Sequence, residues 1–414
     1  MKKVLVFLLA ATFGMAGSAL AFHDGGVADC EGCHTMHNSQ DGAVSGSSGT
    51  IANGPSKFLT LGTDPSSTCL TCHKGTPGSY HIMTDGTAGA VSLTPGGDFY
   101  WLTAGTYYEG PHGYISTPAS HGHNVIAADY GIAQDDVLIV APNDGSGTPY
   151  PAAELGCNSC HDPHGKVGTG TDNSSRENPY AITGSGSKNA ELQGVEAGTY
   201  VLLGDVGYDG GQQASWATTF ADGAPIAQSN RKLTTADHAD YLSGMSEWCA
   251  NCHTGFAQST AAVTGGDLTG LSGGSAHTHP AGAGADMVSV ATFYNKYKAT
   301  GDFTATQADS YDILVPFERT SGAAADLDLA STSGPSAGDQ VMCLSCHHAH
   351  ASGFSDIGRW DFEATLLAES PIFDTTLGLG TTLGTNAYYG QVDTSGGVYG
   401  PEQRSLCNKC HLQD

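Results

Sequence analysis

Residues 343–350 read CLSCHHAH, and the Cys-x-x-Cys-His pattern that opens this stretch occurs six times in the chain. The six copies use all twelve cysteines, so they constrain the fold more than any other feature. Numbered in chain order, motifs 1 to 6 are Cys30, Cys33 and His34; Cys69, Cys72 and His73; Cys157, Cys160 and His161; Cys249, Cys252 and His253; Cys343, Cys346 and His347; and Cys407, Cys410 and His411.

This pattern is the attachment signature of haem c. The two thiols add to the vinyl groups of the porphyrin, and the adjacent histidine binds the iron as its proximal ligand. Structural zinc sites do not require a histidine after every second cysteine. A thioredoxin-like pair would be single, and a disulfide framework gives no reason for six identical histidines. The sequence therefore predicts six covalently attached haem c groups.

The first 21 residues predict a secretory signal peptide. Lys2 and Lys3 precede an apolar run at residues 4–13, which is too short to span a bilayer. The small residues Ala19 and Ala21 occupy the positions that a signal peptidase recognises. We therefore expect residues 1–21 to be removed and residues 22–414 to act outside the cytoplasm, with no transmembrane segment.

The composition is unusual for a chain of 414 residues, with 58 glycines and only 14% charged residues. Stretches such as residues 41–55 and 265–284 show neither helical nor strand periodicity, which ordinarily indicates loop or disorder. Six large apolar porphyrins would supply the missing core. The expected fold is a multihaem cytochrome c: mostly coil, with short helices and few short strands, wrapped around a linear chain of six haems. Residues 22–414 are expected to form one haem-cored body.

Few regular elements are predicted within this body. Short helices are expected near residues 245–252, 286–298 and 361–369, and short strands near residues 137–140 and 199–203. The spacing of the motifs is irregular, which argues against a solenoid. The formal charge of −26 argues against a nucleic-acid partner, which requires basic patches.

The second axial position of each iron decides between catalysis and conduction. An open position can bind a substrate, whereas a second histidine closes the site and leaves electron transfer as the natural role. The chain has 18 histidines, so twelve remain after the six proximal ligands are assigned. The supply is sufficient for a distal histidine at every haem.

Three of these candidates share one spacing. His37, His164 and His350 each stand three residues after a proximal histidine. A residue so close in sequence lies on the same side of that haem as its proximal ligand, so it must bind a different haem. This arrangement predicts closely spaced haems, each braced by a segment that carries another haem.

The remaining candidates depend on local context. His81 is one. Two others are each one of a close pair, His121 with His123 and His277 with His279. An apolar run at residues 125–128 favours His123, and the proline and small residues after His279 favour that one. The choice within each pair stays open, as does that between His348 and His350. Spare histidines are His23, His112, His238 and His348.

Six longer segments carry a resemblance to a known family, the hexahaem c-type cytochromes that polymerise into extracellular conductive filaments. They run from the start of the expected mature chain to its end. The segments are FHDGGVADCEGCHTMHN at residues 22–38, CNSCHDPHGK at 157–166, GMSEWCANCH at 244–253, HPAGA at 279–283, CLSCHHAHASGF at 343–354 and LCNKCH at 406–411.

The resemblance implies two histidine ligands at all six haems. It also implies that His37 binds the haem of His347 in a neighbouring subunit. Such a head-to-tail contact is heterologous and need not close, so it generates a filament. The implied partners are further copies of the chain, other redox cytochromes and extracellular electron acceptors, and the implied location is the outer cell surface, reached through the periplasm. The implied distal ligands are His37, His81, His123, His164, His279 and His350.

Two other functions compete with conduction along a filament. A multihaem reductase of nitrogen or sulfur oxyanions requires a haem with a free axial position and basic residues that hold the anion. The chain has no Cys-x-x-Cys-Lys variant of the motif and is acidic, so we expect no enzymatic activity. The other alternative is a monomeric electron shuttle, which would not polymerise.

Overall fold

The computed structural model describes sixteen stretches of the chain. The expected signal peptide and the candidate ligands His37, His164 and His277 lie outside them. The described residues are 30–35, 39–40, 43–44, 59–76, 81–85, 93–103, 107–109, 114–163, 203–204, 206–211, 216, 218–229, 238–257, 279–320, 326–367 and 399–411.

Short helices carry most of the attachment motifs. Of the α-helices in the described stretches, only Ala291–Tyr294 does not overlap a motif, and motif 5 begins in a 3-10 turn. The α-helices are α1 (Cys30–Cys33), α2 (Pro65–His73), α3 (Cys157–Cys160), α4 (Met245–Ala250), α5 (Ala291–Tyr294) and α6 (Asn408–His411). The 3-10 turns are Phe99–Leu102, Pro118–His121, Ala128–Tyr130, Ala152–Glu154, Met287–Ser289, Gln307–Asp309, Cys343–Ser345 and Ser355–Ile357.

The strands form two small hairpins and one three-stranded sheet. The strands are β1 (Ser39–Gln40), β2 (Ala43–Val44), β3 (Tyr107–Glu109), β4 (Tyr114–Ser116), β5 (Ala227–Ser229), β6 (Ala239–Leu242) and β7 (Glu318–Arg319). The first hairpin pairs β1 and β2 and the second pairs β3 and β4, both antiparallel. In the sheet, β6 lies between an antiparallel β5 and a parallel β7, with Tyr241 opposite both Ala227 and Glu318.

Helix α2 illustrates how the sequence sets a motif in place. The Asp64 side chain accepts a hydrogen bond from the Ser67 amide at 2.7 Å, which caps the helix, and Pro65 occupies its first turn. The helix ends at His73, because Lys74 adopts an extended backbone conformation. The capped turn thus holds Cys69, Cys72 and His73 on one short rigid element.

The predicted elements are confirmed in part. The helix expected at residues 245–252 is α4, and the one expected at 286–298 is divided between a 3-10 turn and α5. No helix forms over residues 361–366. The strand predicted at residues 137–140 is wrong, because Val140 forms only an isolated bridge with Pro151 while Val137 and Ile139 extend into solvent, 73% and 64% exposed. Of the strand expected at residues 199–203, only Leu203 is described, in a bridge with His161.

The buried core is made of side chains beside the motifs. Leu70, Leu344 and Leu406 each lie within or directly before a motif and are buried in one continuous apolar cluster. A smaller aromatic cluster packs against Trp248 and Cys252; its members are Tyr150, Tyr208, Trp216 and Phe220. In the described part of the chain, no helix has the length and apolar character needed to cross a bilayer.

Candidate haem-binding site

Three pairs of histidine rings face each other, and each pair joins a proximal histidine to a distal candidate. Each partner comes from a different part of the chain, so none of the three pairs lies within a single motif. The distances between ring centroids are 5.9 Å for His123 and His253, 6.2 Å for His161 and His350, and 5.9 Å for His279 and His411.

These distances fit an iron atom held between two imidazoles. A metal–nitrogen bond to histidine is about 2 Å long and the bonded nitrogen lies about 1 Å from its ring centre, so rings on opposite sides of one metal have centroids roughly 6 Å apart. All three pairs match this separation. His350 lies opposite His161 of motif 3 and not opposite His347 of its own motif.

Five candidate ligands, three of them from these pairs, also have a ring nitrogen oriented for metal binding. In five of the candidate ligands the Nδ1–H group donates to a backbone carbonyl, which places the lone pair on Nε2 and fixes the ring. The donors and acceptors are His81 to Thr76 at 2.6 Å, His123 to Ala349 at 2.7 Å, His253 to Pro142 at 3.0 Å, His279 to Pro280 at 2.8 Å and His347 to Asp356 at 2.7 Å.

His121 and His123 differ in how many of their ring nitrogens are hydrogen-bonded. His121 is completely buried, and both of its ring nitrogens are engaged, Nδ1 with the Ser352 carbonyl at 3.2 Å and Nε2 with the Ser116 hydroxyl at 2.7 Å. His123 uses only Nδ1 in this way and directs its ring toward His253. The geometry therefore favours His123 as the ligand of the pair.

Burial favours the neutral form of His123, His253, His347 and His350. Burial, followed by the nearby histidines, lowers the pKa of His253 to about 4 and that of His350 to about 3. Burial also lowers the pKa of His123 and of His347. A neutral imidazole is the form that binds a metal, so these rings are ready for ligation at neutral pH.

The His350 ring packs against Phe99 and the backbone of Gly96, contacts that the sequence did not predict. The ring of Phe99 stacks on it at 5.0 Å, and the His350 amide donates to the Gly96 carbonyl at 2.7 Å. A Cβ atom at Gly96 would lie 2.5 Å from the His350 ring. Gly97 has a φ of +94°, and a Cβ there would lie 2.0 Å from the Ala351 carbonyl oxygen. The signal in the sequence was the adjacent glycine pair of TPGGDF at residues 94–99.

The proximal histidine of motif 5 has a different environment. The ring of His347 contacts the edge of Phe362 at 5.5 Å. Among the described residues, no histidine ring faces it as His350 faces His161. Any second histidine ligand for this site would have to come from outside the described residues or from another molecule.

The buried Arg359 is hydrogen-bonded to the backbone of motif 5. Arg359 is 2% exposed; its Nε donates to the Leu344 carbonyl at 2.5 Å and its Nη1 to the Ile313 carbonyl at 3.2 Å. Within the described stretches, the ion pairs Arg319–Asp240 and Lys409–Asp312 do not involve it. Arg359 thus places a fixed positive charge beside motif 5.

The residues present fit covalently bound haem and do not fit the alternatives. In the described residues, no three His, Cys, Asp or Glu side chains converge as they do in a structural zinc site. Eleven described cysteines are free thiols, so no disulfide competes with haem attachment at them. The spacing of the histidine pairs and the Nδ1 hydrogen bonds of the candidate ligands suit the binding of haem iron.

Comparison with known proteins gives the same result. No protein-family model matches the chain. The C-type cytochrome OmcS of Geobacter sulfurreducens is 40% identical over 100% of this chain and 99% of its own. Two solved structures are similar over 95% of this chain and 100% of theirs, each with a TM-score of 0.72: the outer membrane cytochrome S filament of that organism, 38% identical, and its OmcS nanowires, 36% identical. The chain therefore belongs to the OmcS family of c-type cytochromes.

Proposed function

We propose that this protein conducts electrons along extracellular filaments of its own subunits, through six covalently attached haems that each have two histidine ligands. The observation that carries the proposal is the set of three histidine pairs with ring centroids 5.9 to 6.2 Å apart. Histidines on both sides of an iron leave no position for a substrate. As a member of the OmcS family, the chain is an electron-transfer cytochrome and not an enzyme.

The proposed ligands follow from the ring pairs and the remaining candidates. Bound haem supplies one-electron chemistry, because its iron alternates between the ferric and ferrous states. His123, His350 and His279 would hold the haems of motifs 4, 3 and 6 together with His253, His161 and His411, the histidines whose rings they face. His81 and His164 are the proposed distal ligands for motifs 1 and 2.

The junction between subunits requires a ligand from a neighbour. We assign His37 of one subunit to the motif 5 haem of the next, opposite His347. The lack of a facing histidine at His347 among the described residues supports this assignment, as do the filaments formed by the similar solved structures. The contact is head-to-tail and does not close, so it repeats along a fibre.

The route and the acceptors belong to the same proposal. Residues 1–21 direct export, and residues 22–414 form the haem-cored subunit that reaches the outer surface by way of the periplasm. Other redox cytochromes deliver electrons to the filament, and metal oxides or electrodes receive them. The acidic charge of −26 suits an exposed, soluble surface.

The deciding experiment compares His37→Ala with His112→Ala as a matched control, by electron microscopy and visible spectroscopy. We expect His37→Ala to retain six covalent haems, to lose filaments and to gain high-spin character at one haem in six. His112→Ala should assemble like the wild type. Normal filaments with an unchanged low-spin spectrum in His37→Ala would refute the junction, and rapid carbon monoxide binding by several haems of the native protein would refute conduction through closed sites.

A further inference from the structure

A buried serine joins motif 2 to motif 3. Ser66 stands three residues before Cys69, in the first turn of α2, and is 0% exposed. Its hydroxyl accepts a hydrogen bond from the amide of Cys157 at 3.0 Å. The side chains of Cys69 and Cys157 also lie close enough to interact. The first cysteines of the two motifs therefore lie side by side.

The same contact recurs between motifs 4 and 5. Ser246 stands three residues before Cys249, in the first turn of α4, and is also 0% exposed. Its hydroxyl accepts from the amide of Cys343 at 3.1 Å, and the side chains of Cys249 and Cys343 lie close enough to interact. Two separate parts of the chain thus use one serine position to fix one motif against the next.

The receiving motifs match each other as well. In motif 3 the hydroxyl of Ser159 accepts from the Gly156 amide at 2.9 Å. In motif 5 the hydroxyl of Ser345 accepts from the Met342 amide at 3.1 Å. Each hydrogen bond closes the turn that carries the cysteine contacted by Ser66 or Ser246.

The distal segments complete the correspondence. Three residues after His123, the Ile126 amide donates to the Leu155 carbonyl at 2.7 Å. Three residues after His279, the Gly282 amide donates to the Val341 carbonyl at 2.8 Å. Both carbonyls lie two residues before the first cysteine of the receiving motif. The chain therefore contains a two-motif unit twice, although the motifs are spaced unevenly.

Serine at this position is specific to motifs 2 and 4. The corresponding residues of motifs 1, 3, 5 and 6 are Val27, Glu154, Gln340 and Arg404. A serine in the first turn of a helix ordinarily caps its own helix or faces water. Ser66 and Ser246 instead accept a hydrogen bond from an amide of another motif, and both are fully buried.

We propose that Ser66 and Ser246 are positioning residues for electron transfer, each fixing the separation and angle between the two haems attached to the motifs it joins. This inference rests on the proposed function, since it concerns electron steps inside the subunit. Electron transfer between cofactors falls steeply as their edges separate, so an element that holds two attachment points together controls the rate. Functional constellations depend on such supporting hydrogen bonds.

The test uses full-length, haem-loaded protein carrying Ser66→Ala or Ser246→Ala, with Ser67→Ala as the matched control. Ser67 is equally buried and lies in the same helix turn, but its hydroxyl bonds to Asp64 and to the Asp129 amide and not to another motif. The readouts are the haem count by mass spectrometry, the Soret circular dichroism couplet that reports the geometry of coupled haems, and intraprotein electron transfer after rapid photoreduction.

Each alanine variant should retain six low-spin haems, alter the couplet and slow one intraprotein step by roughly tenfold. Ser67→Ala should leave the couplet as in the wild type. An unchanged couplet in both variants overturns the proposal, whether or not stability falls. If an alanine variant fails to load haem, Ser→Thr at that site must restore loading and couplet, and failure of that rescue also overturns it. The couplet does not depend on polymerisation, so it is separable from the filament test of the proposed function.

Discussion

The imidazole rings of His161 and His350 face each other with centroids 6.2 Å apart, although His161 belongs to motif 3 and His350 follows motif 5. Under the proposed ligation, the segment that carries motif 5 would supply the second ligand of the motif 3 haem. Folding around one haem would then require the segment that attaches a different haem. This interdependence would stabilise a body whose described part has little regular structure.

Removing the His350 ring is expected to open one haem of six. His350→Ala should leave all haems covalently bound and convert the motif 3 haem to a high-spin form that binds carbon monoxide, as seen by electron paramagnetic resonance and visible spectra. Gly96→Ala should give a milder version, because its new Cβ would lie 2.5 Å from the same ring. A fully low-spin His350→Ala protein would contradict the assignment, and the neighbouring His348→Asn serves as the control.

The closely spaced His121 and His123 provide a matched pair of substitutions. His123→Ala should create one high-spin haem, that of motif 4, with a modest effect on stability. His121→Ala should keep six low-spin haems, but it should lower the denaturation midpoint, because Ser116 and the Ser352 carbonyl lose their buried partner at a cost of about 1–3 kcal/mol. The reverse pattern in the spin-state spectra would show that the ligand had been assigned to the wrong histidine.

Arg359 is expected to raise the reduction potential of the motif 5 haem. A fixed positive charge beside a haem favours the reduced state, which carries one positive charge fewer. Arg359→Gln should therefore lower one midpoint potential by roughly tens of millivolts. Spectroelectrochemical titration measures the shift. Lys296→Gln, which removes an exposed cation, should leave all six midpoints near their wild-type values; equal shifts in both variants would refute the role of the buried charge.

Glu318 predicts a pH dependence of stability. It is 0% exposed, and burial followed by the nearby Glu247 raises its pKa to about 8. Because the folded-state pKa lies above the unfolded value, its contribution is fully present below about pH 4.5 and is lost as the pH rises through 8. Between pH 5 and 8 the wild type should lose roughly 3 kcal/mol that Glu318→Gln does not lose.

Guanidinium midpoints at several pH values provide the measurement for Glu318. The exposed Glu363→Gln is the control, since it changes the net charge equally without removing a buried acid. Its pH profile should follow that of the wild type. Parallel profiles for all three proteins would mean that Glu318 does not titrate in this range.

The attachment sites could be predicted from the sequence, whereas their surroundings could not. Cysteine and histidine in a fixed spacing have one chemical explanation when no cysteine is left over. The position of His350, three residues after His347, also predicted that it binds a haem other than that of motif 5. The strand expected at residues 137–140 failed because alternation of apolar residues cannot show whether a partner strand exists. Local context favoured His123, but only the structure shows that both ring nitrogens of His121 are hydrogen-bonded, one to Ser116 and one to the distant Ser352 carbonyl.

Some of the missed features did leave a trace in the sequence. Aligning the six motifs on their first cysteine isolates Ser66 and Ser246 at one position, but only the structure shows that both hydroxyls contact another motif. The unequal loops between motifs concealed this correspondence. The burial of Arg359 left no comparable trace, because it depends on hydrogen bonds to the backbone carbonyls of Leu344 and Ile313.

The two-motif unit around Ser66 and its counterpart around Ser246 bear on how such chains evolve. A duplicated stretch of gene that encodes one unit would insert its own docking contacts at both ends and leave the termini unchanged. Growth by this route adds cofactors two at a time, so relatives that arose in this way would differ in length by even increments, and an odd increment would mark a different history.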